Sequence, residues 1–308
     1  MALFSVVIPV FKSTKSLGMI VSELNAINAE KGFQFEIIFV NDSPFFLDTG
    51  VFLERLKKKY NNIKVLTLRK NQGQHIATLV GLSQASGDYI ITMDDDLQHP
   101  VQEIPKMINA MHSNSHTEGI FAIPNYRERK HSLWRSAGSY VFKKIDLIFL
   151  DKPKGLVLSS FRIMTKDLAS ATVNSYNAMP AVSSLMLNCS NNLKNIKVEH
   201  NSREFGKTNY TFPKLMTLAI NGILYYSSLP LRILGVIGII GFLGSMLFIF
   251  SIVIRKLMID IDFPGYASTV SLISFFGGLN LFAFGIIGEY LIRIIREQQK
   301  PKLADLVK

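Results

Sequence analysis

A single cysteine, Cys189, stands in 308 residues. That excludes an intramolecular disulfide, cannot by itself make a thiolate metal site, and fits a reducing compartment. Tryptophan is as scarce: Trp134 is alone, so the basic segment around it has no interleaved stacking platform and nucleic acid is not an expected partner. Acidic residues are outnumbered, 23 against 34 Lys and Arg, for a formal net charge of +11. Combined with a mean hydropathy of +0.24, this imbalance suggests a membrane protein with basic flanks more than a nucleic-acid binder. The first ten residues lack a basic n-region, and Pro9 interrupts their apolar run, so Ser5 to Val10 reads as a first strand and not as a signal peptide.

Charge is also missing from two long runs, Ile233 to Ile254 and Phe263 to Gly288. Each exceeds the roughly 20 apolar residues that cross a hydrocarbon core, so two transmembrane helices are expected. Arg232 precedes the first, and Arg293, Arg296, Lys300 and Lys302 follow the second, which predicts both termini in the cytoplasm. Glu289 would mark the boundary, with Arg293 as its i,i+4 partner. Glycines at 235, 238, 241 and 244 suit close helix packing. Phe212 to Leu231, apolar on one side and broken by Lys214, Asn221, Ser227 and Ser228, suits a helix lying in the membrane interface.

What the first two hundred residues do contain is an alternation of short apolar runs with helical periodicity. Strands are expected at Ser5 to Val10, Phe35 to Val40, Ile63 to Leu68, Tyr89 to Met93, Gly119 to Pro124 and Val157 to Met164. Leu17, Ile20, Val21, Leu24 and Ile27 recur at helical spacing between the first two, and Ile104, Met107, Ile108 and Met111 after the fourth. Such alternation predicts an α/β fold with a mostly parallel sheet.

In such sheets ligands bind beyond the carboxyl ends of the strands. There the sequence gathers Asp42, Asn71 and the run Asp94, Asp95, Asp96, with Gln98 two residues on. Three adjacent carboxylates repel one another unless solvent or a cation lies beside them. An all-oxygen set suits Mg²⁺ or Mn²⁺ shared with substrate phosphates, although an acidic loop capping the next helix has the same appearance. Several acids on one rim favour a nucleotide cleft. Arg127, Arg129, Lys130, His131 and Arg135 form a basic cluster that is either a solvated surface or an anion site. Arg203 and Lys207 lie in the polar loop Asn201 to Tyr210.

The block GDYIITMDDDLQHP, the segments GQHIA and REFGKTNYTF, and the ending GEYLIRI resemble, in this order, the family 2 (GT-A) polyprenyl-phosphate glycosyltransferases over nearly the whole chain. That group includes dolichol-phosphate mannose synthase, the bactoprenol glucosyltransferases and the undecaprenyl-phosphate aminoarabinose transferase. The resemblance implies a Rossmann-like GT-A catalytic domain over 1–210, the interfacial helix over 211–231, and the two membrane helices with a basic tail over 232–308. It implies transfer of a sugar, from a UDP-sugar donor, to undecaprenyl phosphate on the cytoplasmic leaflet of a bacterial inner membrane, in modification of a cell-envelope glycan such as lipopolysaccharide O-antigen. Implied partners are membrane lipid, copies of the chain in a tetramer, and a flippase and periplasmic glycosyltransferase downstream.

Matched residue by residue, Asp94 and Asp96 fall on the family's metal motif, with Gln98 completing the metal shell. Asp42 would meet the nucleobase and Pro9 would lie in the base-binding first loop; Asn71, Asp95, Arg203 and Lys207 complete the donor set, the last two in a loop closing over the pyrophosphate. Arg127, Arg135 and Ser139 match the acceptor-phosphate positions, and Asp96, Arg127 and Arg135 are the expected catalytic residues. Three stretches depart from the pattern. Phe11, Lys12 and Ser13 replace Tyr-Asn-Glu; Ser43, Pro44 and Phe45 replace Asp-Gly-Ser; and Ser159, Ser160, Phe161 and Arg162 stand for Gly-Asp-Phe-Arg, whose Asp is the proposed base of the bacterial relatives. A transferase acting on a sugar hydroxyl, or a catalytically silent lipid-phosphate-binding scaffold, are the competing readings.

Overall fold

The computed structural model describes residues 2–114, 116–125, 153, 155–199 and 265–308, with scattered positions of 233–254. It divides into two units, Met1–Asn209 with Lys300–Lys308, and Tyr210–Gln299.

The first unit is built on β1 (Leu3–Val10), β2 (Gln34–Asn41), β3 (Ile63–Thr67), β4 (Tyr89–Thr92), β5 (Gly119–Pro124), β6 (Arg162–Thr165) and β7 (Leu193–Val198), in the order β3-β2-β1-β4-β6-β5-β7. Strands β1 to β4 are mutually parallel where they pair, as the alternation predicts, and β5 runs parallel to β7. Strand β6 is antiparallel to both its neighbours. It therefore brings its first residue, Arg162, beside Thr92 at the carboxyl end of β4.

The central strands bury both faces, which is why they read as unbroken apolar runs. On one face Phe4, Val6 and Ile8 of β1 pack with Leu17, Ile20 and Leu24 of α1 (Lys15–Lys31), Leu53 of α2 (Leu47–Lys59) and Met107 and Ile108 of α4 (Ile104–His112). On the other, Val7 packs with α3 (Gln74–Ser83), α5 (Lys166–Asn174) and α6 (Val182–Cys189) through Leu79, Leu168 and Leu185. Gly87 admits β4 beside β1, since a Cβ there would stand 2.7 Å from the Ser5 amide nitrogen and 2.8 Å from the Leu3 carbonyl oxygen.

Two expectations change. The strand expected over 157–164 is shorter and later, because Val157 and Ser159–Phe161 run as the approach to β6. The basic tail, expected to trail the membrane region, instead belongs to the first unit: Leu303 and Leu306 are buried and Val307 bridges Leu68 next to β3. Apolar side chains were available in the tail, and burying each contributes about 1.5–3 kcal/mol.

In the second unit α7 (Tyr266–Gln298) has 33 residues, about 50 Å at 1.5 Å per residue. Its stretch Phe275–Gln298 is long and apolar enough to cross a membrane, the one such helix among the described residues. Its apolar side chains are exposed, with Phe275 and Phe284 among them. Arg293 lies 3.6 Å from Glu289, the expected pairing. The described positions of 233–254 are helical. The interfacial helix expected over 212–231 lies outside the described residues.

Candidate active site

The site forms where four strands end on the same rim. Strand β4 gives way to Met93 and then to Asp94, Asp95 and Asp96, which do not point together. Asp95 turns toward the loop after β1, where its Oδ2 accepts a hydrogen bond from the Phe11 amide at 3.1 Å. Asp94 faces the start of α3 and the loop before β6: the Gln74 side-chain amide donates to its Oδ1 and the Ser160 hydroxyl donates to its Oδ2 at 2.8 Å. Asp96 Oδ1 accepts from the Gln98 amide at 3.2 Å. Leu97, between them, holds φ at 61°, and Lys12 in the loop that caps Asp95 holds 59°. A left-handed non-glycine residue costs energy, so two of them framing one cleft mark a geometry imposed by the surrounding fold.

Burial pushes the Asp95 carboxyl up to about 6, with the charges of Asp94 and Asp96 adding to the rise against the hydrogen bonds from Ser13 and Phe11. The folded state therefore favours protonated Asp95. Its contribution to stability is complete below the unfolded value near 4 and is lost as pH rises through about 6. Asp95→Asn is accordingly expected to stabilise chelator-treated protein at pH 8 by on the order of 3 kcal/mol at most, seen as a higher melting temperature, and to flatten the stability profile between pH 4 and 6. Equal melting of the two proteins at pH 8 would refute this.

Beside Asp94 lies a buried cation that the sequence reading passed over. Arg162 is 3 % exposed; its Nε donates to the Thr92 hydroxyl at 2.9 Å and its Nη1 to the Ser183 hydroxyl at 2.7 Å. Burial brings its pKa down to about 10, with the Asp94 charge acting the other way, so it remains a cation at neutral pH. The Thr92 hydroxyl donates in turn to the Ser160 carbonyl at 2.6 Å, fixing the residue whose hydroxyl holds Asp94. An arginine inside the apolar run VLSSFRIM was the available signal. Ser160, noted only as a departure from the family pattern, thus has a definite place: an aspartate there would confront Asp94 with a like charge.

A second cluster closes the rim at β2 and β3. Asp42 is 3 % exposed, and its two carboxylate oxygens accept from the amides of Gln72 at 2.6 Å and Gly73 at 2.9 Å. Burial raises its pKa despite these bonds. The Asn71 side-chain amide donates to the Asp42 carbonyl at 3.2 Å, so Asn71 and Asp42 are brought together as expected. Gly73, with φ at 87°, turns the chain into α3. Pro9 differs from expectation: it is buried within β1 opposite Val40, because the strand extends to Val10, and the exposed ring at this loop belongs to Phe11. Lys12 donates its amide to the Ser43 hydroxyl, joining the two loops.

Among the described residues no three acidic, histidine or cysteine side chains converge as a closed metal centre. A hard ion needs no such cage, since Mg²⁺ is usually held by one or two carboxylates with water and substrate phosphates. Asp94 and Asp96, all-oxygen donors on an open rim, fit that requirement, and Gln98 lies next to them. Arg127, Arg135, Ser139, Arg203 and Lys207 lie outside the described residues.

The profile described as "Glycosyl transferase family 2" matches residues 5–172, more than half of the chain. The undecaprenyl-phosphate 4-deoxy-4-formamido-L-arabinose transferase of Photorhabdus laumondii subsp. laumondii is 27% identical over 295 residues, covering 95% of this chain and 90% of that protein. The transferase of the same name from Klebsiella pneumoniae subsp. pneumoniae is 27% identical over 296 residues, 95% and 89% of the two chains. Among solved structures, mannosyl-3-phosphoglycerate synthase from Rubrobacter xylanophilus superposes with a TM-score of 0.52 at 15% identity, over 76% of this chain and 75% of that one, a likeness of fold.

Proposed function

This chain belongs to glycosyl transferase family 2 and is a glycosyltransferase, and from that premise we propose that it transfers a sugar from a nucleotide-sugar, a UDP-sugar, to undecaprenyl phosphate at the cytoplasmic face of the bacterial inner membrane. The observation that carries the donor half is the divided tip of β4, where Asp95 is held back by the Phe11 amide while Asp94 is held toward Ser160 and Gln74. The acceptor half is supported by similarity, over nearly their full length, to transferases named for undecaprenyl phosphate.

In this reading Asp42 shapes the base pocket through the 71–73 loop. Asp94 and Asp96, with Gln98, would hold Mg²⁺ or Mn²⁺, which would supply positive charge against the leaving nucleotide diphosphate. Arg127, Arg135 and Ser139 hold the acceptor phosphate, and Arg203 and Lys207 cover the donor pyrophosphate. A phosphate oxygen attacks the anomeric carbon, the bond to the β-phosphate oxygen breaks with its electron pair leaving on the nucleotide, and the anomeric centre inverts. A phosphate monoester, with a second pKa near 6, is already largely ionised at neutral pH and needs no deprotonation. That is why Ser160 can stand where relatives have an acid: general-base help is worth about 10²–10⁴-fold for a sugar hydroxyl, but an ionised phosphate does without it.

The helices of the second unit hold the enzyme at the bilayer, where the phosphate of a polyprenyl lipid sits at headgroup level. Both termini are cytoplasmic and the enzyme is a homo-oligomer in this account. The test incubates purified full-length protein with Mn²⁺, a panel of UDP-sugars and undecaprenyl phosphate. A lipid-linked sugar is the expected product. Metal-dependent binding of UDP with no product from any donor would leave a non-catalytic binder and overturn the transferase reading of this site.

A further inference from the structure

The nucleotide rim is braced by the last residues of the chain. Strand β3 is an edge of the sheet, and its unpaired backbone groups would otherwise face solvent. The C-terminal segment pairs with the end of this edge and with the two residues that follow it. The Lys308 amide donates to the Thr67 carbonyl at 2.9 Å, Val307 bridges Leu68 in antiparallel register, and the Arg69 amide donates to the Leu306 carbonyl at 2.8 Å. Arg69 Nε adds a bond to the Asp305 carbonyl at 3.0 Å. Leu303 and Leu306 anchor the segment in the core beside Leu68 and α3.

Immediately after Arg69 comes the stretch whose Asn71, Gln72 and Gly73 bond to Asp42. The five residues 69–73 are therefore pinned at one end by the C-terminal segment and at the other by a buried carboxylate. Release of the first end would leave Asp42 to hold a loop that is free to swing from Leu68, and positioning of the bound nucleotide would suffer.

We propose that residues 303–308 are a positioning element for the nucleotide donor, acting through the 69–73 loop; this rests on the reading of the Asp42 rim as the nucleotide site. The experiment compares full-length protein with chains ending at Lys302 and at Leu306. The shorter deletion leaves Leu303 and Leu306 in the core while removing the Val307 and Lys308 contacts, so it keeps the fold in hand. The chain ending at Lys302 is expected to raise the Kd for UDP and the KM for the donor by about tenfold, and the chain ending at Leu306, which keeps the Arg69 bonds to Leu306 and Asp305, by a smaller factor, with the acceptor KM and kcat at saturating donor near the full-length values. Hydrogen exchange at the Gln72 and Gly73 amides should quicken, while β1, β2 and β4 keep their protection. Leu306→Met should behave as the parent and Leu306→Asp as the deletion.

Unchanged exchange at Gln72 and Gly73 in both deletions would overturn the brace itself. Faster exchange there with unchanged UDP affinity would overturn its role in donor binding, and loss of protection throughout the sheet would reduce the tail to a general stabiliser. Failure of the full-length protein to bind UDP would instead overturn the nucleotide reading, while the exchange result would still decide whether the loop is braced.

Discussion

Asp94→Ala should lower turnover by about 10³-fold or more, which corresponds to about 4 kcal/mol of transition-state stabilisation. The magnitude follows from what the carboxylate does at once. It is an all-oxygen donor on the open rim, it is held by the Ser160 hydroxyl and the Gln74 amide, and it is the acid that offsets the buried Arg162 guanidinium. Alanine removes all three functions. Asp94→Asn separates them, because the amide can still bond to Ser160 and Gln74 but brings no charge. A loss of at least about 10²-fold in the asparagine variant would assign most of the effect to charge, since a neutral hydrogen bond contributes only about 0.5–1.5 kcal/mol. Manganese-dependent UDP binding, followed by calorimetry, should fall with turnover in both variants. Wild-type turnover in Asp94→Ala would remove the acidic tip from the mechanism.

The next largest effect is expected at Asp42. Its two oxygens satisfy the amides of Gln72 and Gly73 in a buried setting. Leaving each such donor unpaired costs about 1–3 kcal/mol, so Asp42→Ala should forfeit about 2–6 kcal/mol between stability and donor affinity. Because the loop is partly exposed while Asp42 is buried, much of the loss should appear as loop release, a fall in UDP affinity on the order of 10²-fold, with a smaller fall in melting temperature. Asp42→Asn should lie between, having one acceptor oxygen for two donors. Calorimetry and thermal melting on the same preparations measure both shares; UDP affinity equal to wild type in Asp42→Ala would exclude the loop from the donor site.

Most of the strands that could be read from sequence share one property. Strands β1, β2, β4 and β5 are apolar runs because helices or neighbouring chain cover both their faces, and that environment leaves its mark in the residues themselves. Strand β7 is different: Leu193 and Val198 are buried, while Lys194 and Lys197 on this edge are exposed, and no run survives to be recognised. Strand β6, only four residues long and opened by a charged one, was read with bounds set too early, and α5 and α6, nine and eight residues with little periodicity, left no signal. Within the site, Asp42, Asn71 and the three aspartates were legible because acids at strand ends collect on one rim in any parallel sheet. Pro9 was misplaced by the length of β1. Arg162 was hidden by its setting, since its partners Thr92 and Ser183 are 70 and 21 residues away in sequence.

By itself the sequence determined the α/β alternation, the acidic tip of β4 and the long uncharged runs, because periodicity, β-propensity and charge are local quantities. Only the tertiary structure decided that Asp95 turns away from Asp94, that a serine hydroxyl and a glutamine amide hold Asp94 near a buried arginine, and that the last residues return to pair with the chain at the end of β3. Each of those depends on which distant segments pair, and pairing is set by the burial that the assembled sheet offers, a quantity no single stretch of chain contains.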